Sequence, residues 1–278
     1  MRRLLLLSVV CAVLAAPAAS GNGSPYSPGL AGWDGVVASN GAVRFVTLGA
    51  GGRTNVARIQ VRTGRVLGSR LVRGQYGIPI VTYDGTTGGL SGDGRTLVVA
   101  SYGPLPGTSG ITRFLRLDAR TLRPGRAIEL EGSWSYDTIS PDGTRVYLIE
   151  HLAAAPSPRY RVRVYDLAAR RLLQQSVIDK AASDAIMRGE PATRATSADG
   201  RWAYTLYARQ KHAPFIHALD TVQRRAYCID LPLELGRSQQ MALRLRFAKG
   251  AALEVMTRRG VTLAAMDTQT FVVREERS

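Results

Sequence analysis

ISPDGTRVYLIE, residues 139–150, reads as a turn followed at once by an apolar strand. Four other stretches align with it: VASNGAVRFVTL (37–48), LSGDGRTLVVAS (90–101), TSADGRWAYTLY (196–207) and the more degenerate RFAKGAALEVMT (246–257). The residues before the glycines are Asn40, Asp93, Asp142, Asp199 and Lys249, separated by 53, 49, 57 and 50 positions. A lone Asp-Gly between apolar runs is a common hairpin signal. Here a second anchor keeps the same phase. RIQVRTGRV (58–66), RLDARTLRP (116–124), VYDLAARRL (164–172), ALDTVQRRA (218–226) and AMDTQTFVV (265–273) also align. They place Asp118, Asp166, Asp220 and Asp267 at one equivalent position, with Gln60 there in the first unit. Two anchors in register across five units define an internal repeat with a period near 52 residues.

Each unit has its own strand logic. Asn-Gly and Asp-Gly tolerate positive φ, so the turn is expected to be a two-residue hairpin. The strand after it, RVYLIE or TLVVAS, is apolar on successive residues and so needs cover on both faces. The next, YRVRVYDL, alternates Arg161 and Arg163 with Val162 and Val164, so only one face is dry. A polar turn then leads to a short last strand such as RAIEL or AYCIDL. The unit is a four-stranded antiparallel meander that grows wetter outward. One such sheet cannot bury both faces alone, but several stacked around an axis can. The expected fold is therefore all-β, a β-propeller of about five four-stranded antiparallel blades. The repeat units fall at approximately 33–73, 74–130, 131–179, 189–232 and 241–275.

The S-P-D-G phrase, the Asp after the third strand and the T-G-R-like turn resemble bacterial extracytoplasmic propeller repeats of the WD40-like, YVTN and TolB-like kind. The resemblance covers nearly all of residues 33–275 and implies a fold, with no activity attached.

The chain opens MRRLLLLSVVCAVLAAPAASG. Arg2 and Arg3 precede an apolar run from Leu4 to Leu14, and small residues follow at Ala16-Pro17-Ala18 and Ala18-Ala19-Ser20. This pattern is that of a general secretory signal peptide over residues 1–20, with cleavage near Ala18–Ser20. A flexible Gly/Pro/Ser-rich leader over 21–32 and the propeller domain over 33–278 follow. No second apolar run approaches the ~20 residues of a membrane span, so the mature chain is expected to lack one and to work outside the cytoplasm. It keeps one cysteine, Cys228, which cannot form an internal disulfide and sits in an alternating apolar segment. A buried, inert thiol is expected there.

The formal charge is +16, or +14 once Arg2 and Arg3 leave with the signal, and Lys occurs only at 180, 211 and 249. The Arg residues are scattered rather than run together, and export removes nucleic acid from reach. A protein or cell-envelope polymer is the expected partner.

In this topology the blade connections and the loops between second and third strands share one face, and variable loops on a rigid frame are where binding usually sits. The candidate binding residues on those segments are Tyr76, Trp134, Tyr136, Asp137, Arg188, Arg194 and Arg237, with His151, Glu190, His212 and Gln239 nearby. Aromatic plus Arg is a hot-spot composition. Trp134 and Tyr136 could equally wedge between blades. Gly35, Gly88, Asp137, Arg194 and Arg244 hold equivalent first-strand positions near the axis, where Asp137 and Arg194 can pair. Catalytic signatures are missing. His212 and His217 have no common zinc spacing, His151 stands alone, and GGLSGDG has its second glycine one place late for a nucleophile elbow. No phosphate loop, dinucleotide fingerprint or calcium loop occurs, and no cofactor is expected. The leading expectation is a non-catalytic binding or scaffold module. Two alternatives stay open: a propeller enzyme of quinoprotein-dehydrogenase-like or lyase-like type with its site at the central channel, and a glycan-binding lectin using Trp134 and Tyr136.

Overall fold

The computed structural model describes residues 29–152, 159–177, 179, 186–248 and 250–276. The expected signal peptide over 1–20, most of the expected leader and the degenerate turn residue Lys249 lie outside them.

The strands run in chain order as five meanders. The first blade holds β2 (Val36–Val37), β3 (Val43–Ala50), β4 (Arg53–Gln60) and β5 (Val66–Arg73), preceded by β1 (Leu30–Ala31), which pairs with β6 (Ile78–Pro79). The second has β7 (Thr96–Ala100), β8 (Ile111–Asp118) and β9 (Pro124–Glu131). The third has β10 (Trp134–Ile139), β11 (Arg145–His151), β12 (Arg159–Asp166) and a broken outer strand, β13 (Arg171–Leu172) plus β14 (Met187–Arg188). The fourth is β15 (Glu190–Thr196), β16 (Trp202–Ala208), β17 (Phe215–Asp220) and β18 (Arg225–Asp230). A short helix, α1 (Arg237–Met241), leads to the fifth: β19 (Arg244–Phe247), β20 (Ala252–Met256), β21 (Thr262–Asp267) and β22 (Val273–Glu275). The protein is an all-β propeller of five blades.

The second blade departs from the pattern. Its innermost strand is reduced to a segment held by a Leu90–Leu97 bridge and by Val98 N–H donating to Gly89 O at 2.7 Å. Gly88 and Gly89 cause this. A Cβ on Gly88 would lie 2.7 Å from the Tyr136 ring, and Gly89, at φ +103°, would drive one to 2.4 Å from the Val98 carbonyl. The glycines let the next blade press in, at the cost of a regular strand.

The core lies between blades, because side chains alternate across each strand. From β7, Leu97 and Val99 pack with Phe45 and Val56 of the first blade, while Val98 packs with Tyr136 and Leu148 of the third. From β11, Val146 and Leu148 face the second blade and Tyr147 faces Ala203 and Leu219 of the fourth. From β16, Tyr204 and Leu206 face Leu253 and Val255 of the fifth. Each fully buried large apolar side chain contributes about 2 kcal/mol. Among the described residues no buried apolar cluster joins the fifth blade to the first. The fifth blade's far face carries the Arg246–Glu254 pair (2.7 Å), and the first blade's holds a separate cluster of Val46, Ala57 and Ile59.

Both repeat anchors are turn chemistry. Asp118, Asp166, Asp220 and Asp267 each accept two backbone N–H groups, two and three residues on, at 2.7–3.1 Å. The residue four on then turns left-handed: Leu122, Arg170, Arg224 and Phe271 have φ of 54–59°. In the first unit Gln60 is followed by Gly64 at φ 70°. The other anchor corrects the expectation of a two-residue hairpin. Ser91 N–H donates to Thr96 O and Gly94 N–H to Ser91 O, both at 2.9 Å, so four residues form the loop and only the glycine takes positive φ. The serine of the S-P-D-G phrase takes part in the turn. Ser91, Ser140 and Ser197 each donate to the turn Asp and accept the N–H five residues on at 2.9–3.0 Å.

Asp220 is buried and also accepts from Arg201 at 2.6 Å. Asp220→Ala should therefore lower the unfolding free energy by about 2 kcal/mol. Arg224→Gly, which relieves a left-handed non-glycine, should raise it by up to about 1 kcal/mol. Urea titration of the two variants reads both signs.

Candidate binding face

The axis is filled. Tyr83 N–H donates to Pro191 O at 2.9 Å and Asp84 N–H to Ala192 O at 3.1 Å. These bonds take the segment entering blade two onto the innermost strand of blade four, and joining non-adjacent blades requires crossing the centre. Asp84 sits there among hydroxyls. Burial alone would raise its pKa, but hydrogen bonds from Thr82, Thr193 and Thr86 outweigh it and hold the carboxyl below its ordinary value. Its other oxygen lies 3.8 Å from Arg244 Nε. At one end of the axis the Asp-Gly turns converge, with Asp93 N–H donating to Pro141 O at 2.9 Å.

Beside this plug Arg194 pairs with Asp137. Its guanidinium donates to the Asp137 carboxylate and backbone carbonyl, and its Nε donates to Thr205 Oγ1 at 2.8 Å. The two side chains are 5% and 2% exposed. Burial works against the charge on Arg194, yet the Asp137 carboxylate offsets it and the pKa is raised. His217, on the neighbouring strand, is buried with Nε2 lacking a partner among the described residues. Burial lowers its pKa to about 4, so it is neutral at pH 7.

The seven candidate residues thus divide. Trp134 and Tyr136 are buried in the core between blades two and three. The indole N–H donates to Glu131 O at 2.8 Å, and burial pushes the Tyr136 hydroxyl far above its usual pKa. Asp137 and Arg194 belong to the interior pair. None of these four is presented at the surface, because each fills a position the blade stack must close. Tyr76 is half-buried, with its N–H donating to Thr54 Oγ1 at 2.8 Å. Arg188 and Arg237 are exposed, and Arg237 Nε donates to Glu190 Oε2 at 2.6 Å. In α1 Gln239 accepts from Gly236 N–H at 2.9 Å, and the residue that reaches into the interior is Gln240. It is buried, accepts from Arg209 N–H at 2.8 Å, and donates to His212 O and Leu235 O at 3.0 and 2.7 Å.

The face that carries the blade connections has a recess of about 60 Å³ between blades two and three. Trp134, Tyr136, Ser135 and His151 line it, and Tyr102 and Leu105 rise at its rim, 65% and 58% exposed. Neither rim residue stood out in the sequence, although the SYGPLPG composition of the loop is a signal for a stiff turn. Pro104 and buried Pro106 brace it, and Ser101 N–H donates to Arg113 O at 2.8 Å at its base. Within the recess Ser135 Oγ lies 2.9 Å from His151 Nε2. Burial lowers the His151 pKa to about 4. A nucleophile and base would also need a group orienting the imidazole, and no described carboxylate is hydrogen-bonded to His151.

Cys228 corrects the expectation of a buried thiol: the residue is exposed on the outer strand β18. Local desolvation at the sulfur, with Asp179 and Asp230 adding to it, pushes its pKa up to about 12.

Arg194→Ala should destabilise the protein by about 3–5 kcal/mol, since Asp137 would remain buried without its counter-charge. The double replacement Arg194→Met with Asp137→Leu should recover most of that loss. Denaturant melts of the single and double variants measure the difference.

No protein-family model matches the chain, and no curated protein matches it. Solved structures similar to it include hydrazine synthase from Kuenenia stuttgartiensis, at 16% identity, covering 84% of this chain and 75% of that one, with a TM-score of 0.45. TolB from Acinetobacter baumannii is 12% identical, with 85% of this chain spanning about half (52%) of that one and a TM-score of 0.44. BamB from Moraxella catarrhalis is 16% identical, covering 88% of this chain and 65% of that one, also at 0.44. The likeness is one of fold.

Proposed function

We propose that this chain is an exported, non-catalytic binding module that takes a protein partner on the face carrying Tyr102 and Leu105. The observation that carries the reading is the pairing of a plugged axis with a braced, exposed apolar loop. The segment through Tyr83 and Asp84 occupies the position where a channel site would lie. Tyr102 and Leu105 sit on a loop held by two prolines above a floor of buried aromatics. A stiff loop loses little conformational freedom on association, and an exposed Tyr with an apolar neighbour is a hot-spot composition. The N-terminal segment, with its basic start and apolar run, supports export.

The test is retention of envelope proteins by the immobilised chain, compared with Tyr102→Ala/Leu105→Ala. The double variant should lose at least about tenfold of the bound partner, with its thermal midpoint unchanged. Undiminished retention would contradict this face, and an exported chain still carrying residues 1–20 would contradict the export route.

A further inference from the structure

On the outer flank of the ring, away from the binding face, a groove of about 680 Å³ runs between blades two and three. Arg116, Arg126 and Arg170 line it, with Tyr165 between the blades. The three arginines line this one concavity from separate places in the chain. Arg116 stands where the β8–β9 register slips between Leu115 and Leu117. Its Nη1 lies 3.8 Å from the place a Cβ on Gly125 would take, within ordinary contact. Arg170 is the left-handed residue of the Asp166 turn, at φ 54°.

No carboxylate answers these three charges among the described residues. Glu129, on the same lining, is committed to Arg113 at 2.9 Å. Asp118 and Asp166, nearby in sequence, are taken up by turn amides. Further along the same face of β12, Arg161 and Arg163 have buried Nε atoms with no partner. Glu150 engages only Arg163, through Nη1 at 2.9 Å. Three like charges around one concavity repel, and an anion relieves that repulsion.

We propose that this groove binds a phosphate-bearing ligand, with Arg116, Arg126 and Arg170 donating to its phosphoryl oxygens and Tyr165 Oη as a fourth donor. A single carboxylate would neutralise one guanidinium, whereas a phosphate monoester carries nearly two charges and three terminal oxygens suited to planar, paired donors. The volume lies within the range of small-ligand pockets and admits more than one phosphate. Burial raises the pKa of Tyr165, which keeps the hydroxyl a donor at neutral pH.

Calorimetric titration of the full chain with inorganic pyrophosphate and with linear polyphosphate, at fixed ionic strength, tests this. Pyrophosphate alone binding would identify a small phosphate ester as the ligand, and polyphosphate binding much more tightly would identify a phosphate polymer. Replacing Arg116, Arg126 and Arg170 together by Gln should weaken binding at least about tenfold. Replacing Arg58, Arg95 and Arg120 by Gln removes the same charge from the cleft between blades one and two and should change binding less than about twofold. If the groove triple melts early, Arg126→Gln and Tyr165→Phe are read in its place, each weakening binding about threefold with the melt unchanged. Equal weakening by both triples, equal uptake of polyglutamate, or no uptake of either phosphate probe would overturn the proposal.

Discussion

The second strand of the inner blades is dry on both faces, and most of the architecture follows from that. Leu97, Val98 and Val99 are all fully buried, although neighbouring side chains on a strand point opposite ways. No single sheet can cover both sides of such a strand, so each blade needs two neighbours. The stack must then end or close. At the two terminal blades the chemistry changes, to a charged face with Arg246 and Glu254 on one and an aliphatic cluster ringed by exposed Leu48 and Leu71 on the other. Repeat arrays show this departure at their ends for the same reason: the terminal unit has a different neighbour.

The centre obeys a second constraint. Innermost strands converge, and polar groups placed there leave water and must satisfy one another. Asp137, Arg194 and Thr205 do so as one set, and Asp84 does so with three threonine hydroxyls. An ion pair this deep adds little net stability over an apolar filling, but losing one partner is costly. The same packing draws the Tyr83–Asp84 segment onto the innermost strand of blade four.

The repeat was legible because both anchors are local. An Asp that accepts two amides, then a left-handed residue four on, leaves a mark in any unit that uses it. The S-x-D-G phrase was read correctly as a corner but with the wrong loop length, since the serine's role depends on an amide five residues away. Long-range placement was not legible. Trp134 and Tyr136 have the composition of a recognition surface, and only the glycine pair Gly88-Gly89 in the neighbouring blade reveals that Tyr136 is accommodated inside. Tyr102 and Leu105 had no periodic signal, because a loop's exposure is set by what surrounds it. The basic flank groove is lined by arginines from three separate places in the chain, which no motif joins.

If mutual cover between blades is what holds the molecule, its second strands must open together. Native-state amide hydrogen exchange on Leu97–Ala100, Val146–Ile149 and Ala203–Tyr207 measures this directly. The account predicts one shared opening free energy, equal to that of global unfolding, with the outer strands β5 and β9 exchanging sooner. Separate opening free energies for the three strands, each blade exchanging on its own, would contradict it.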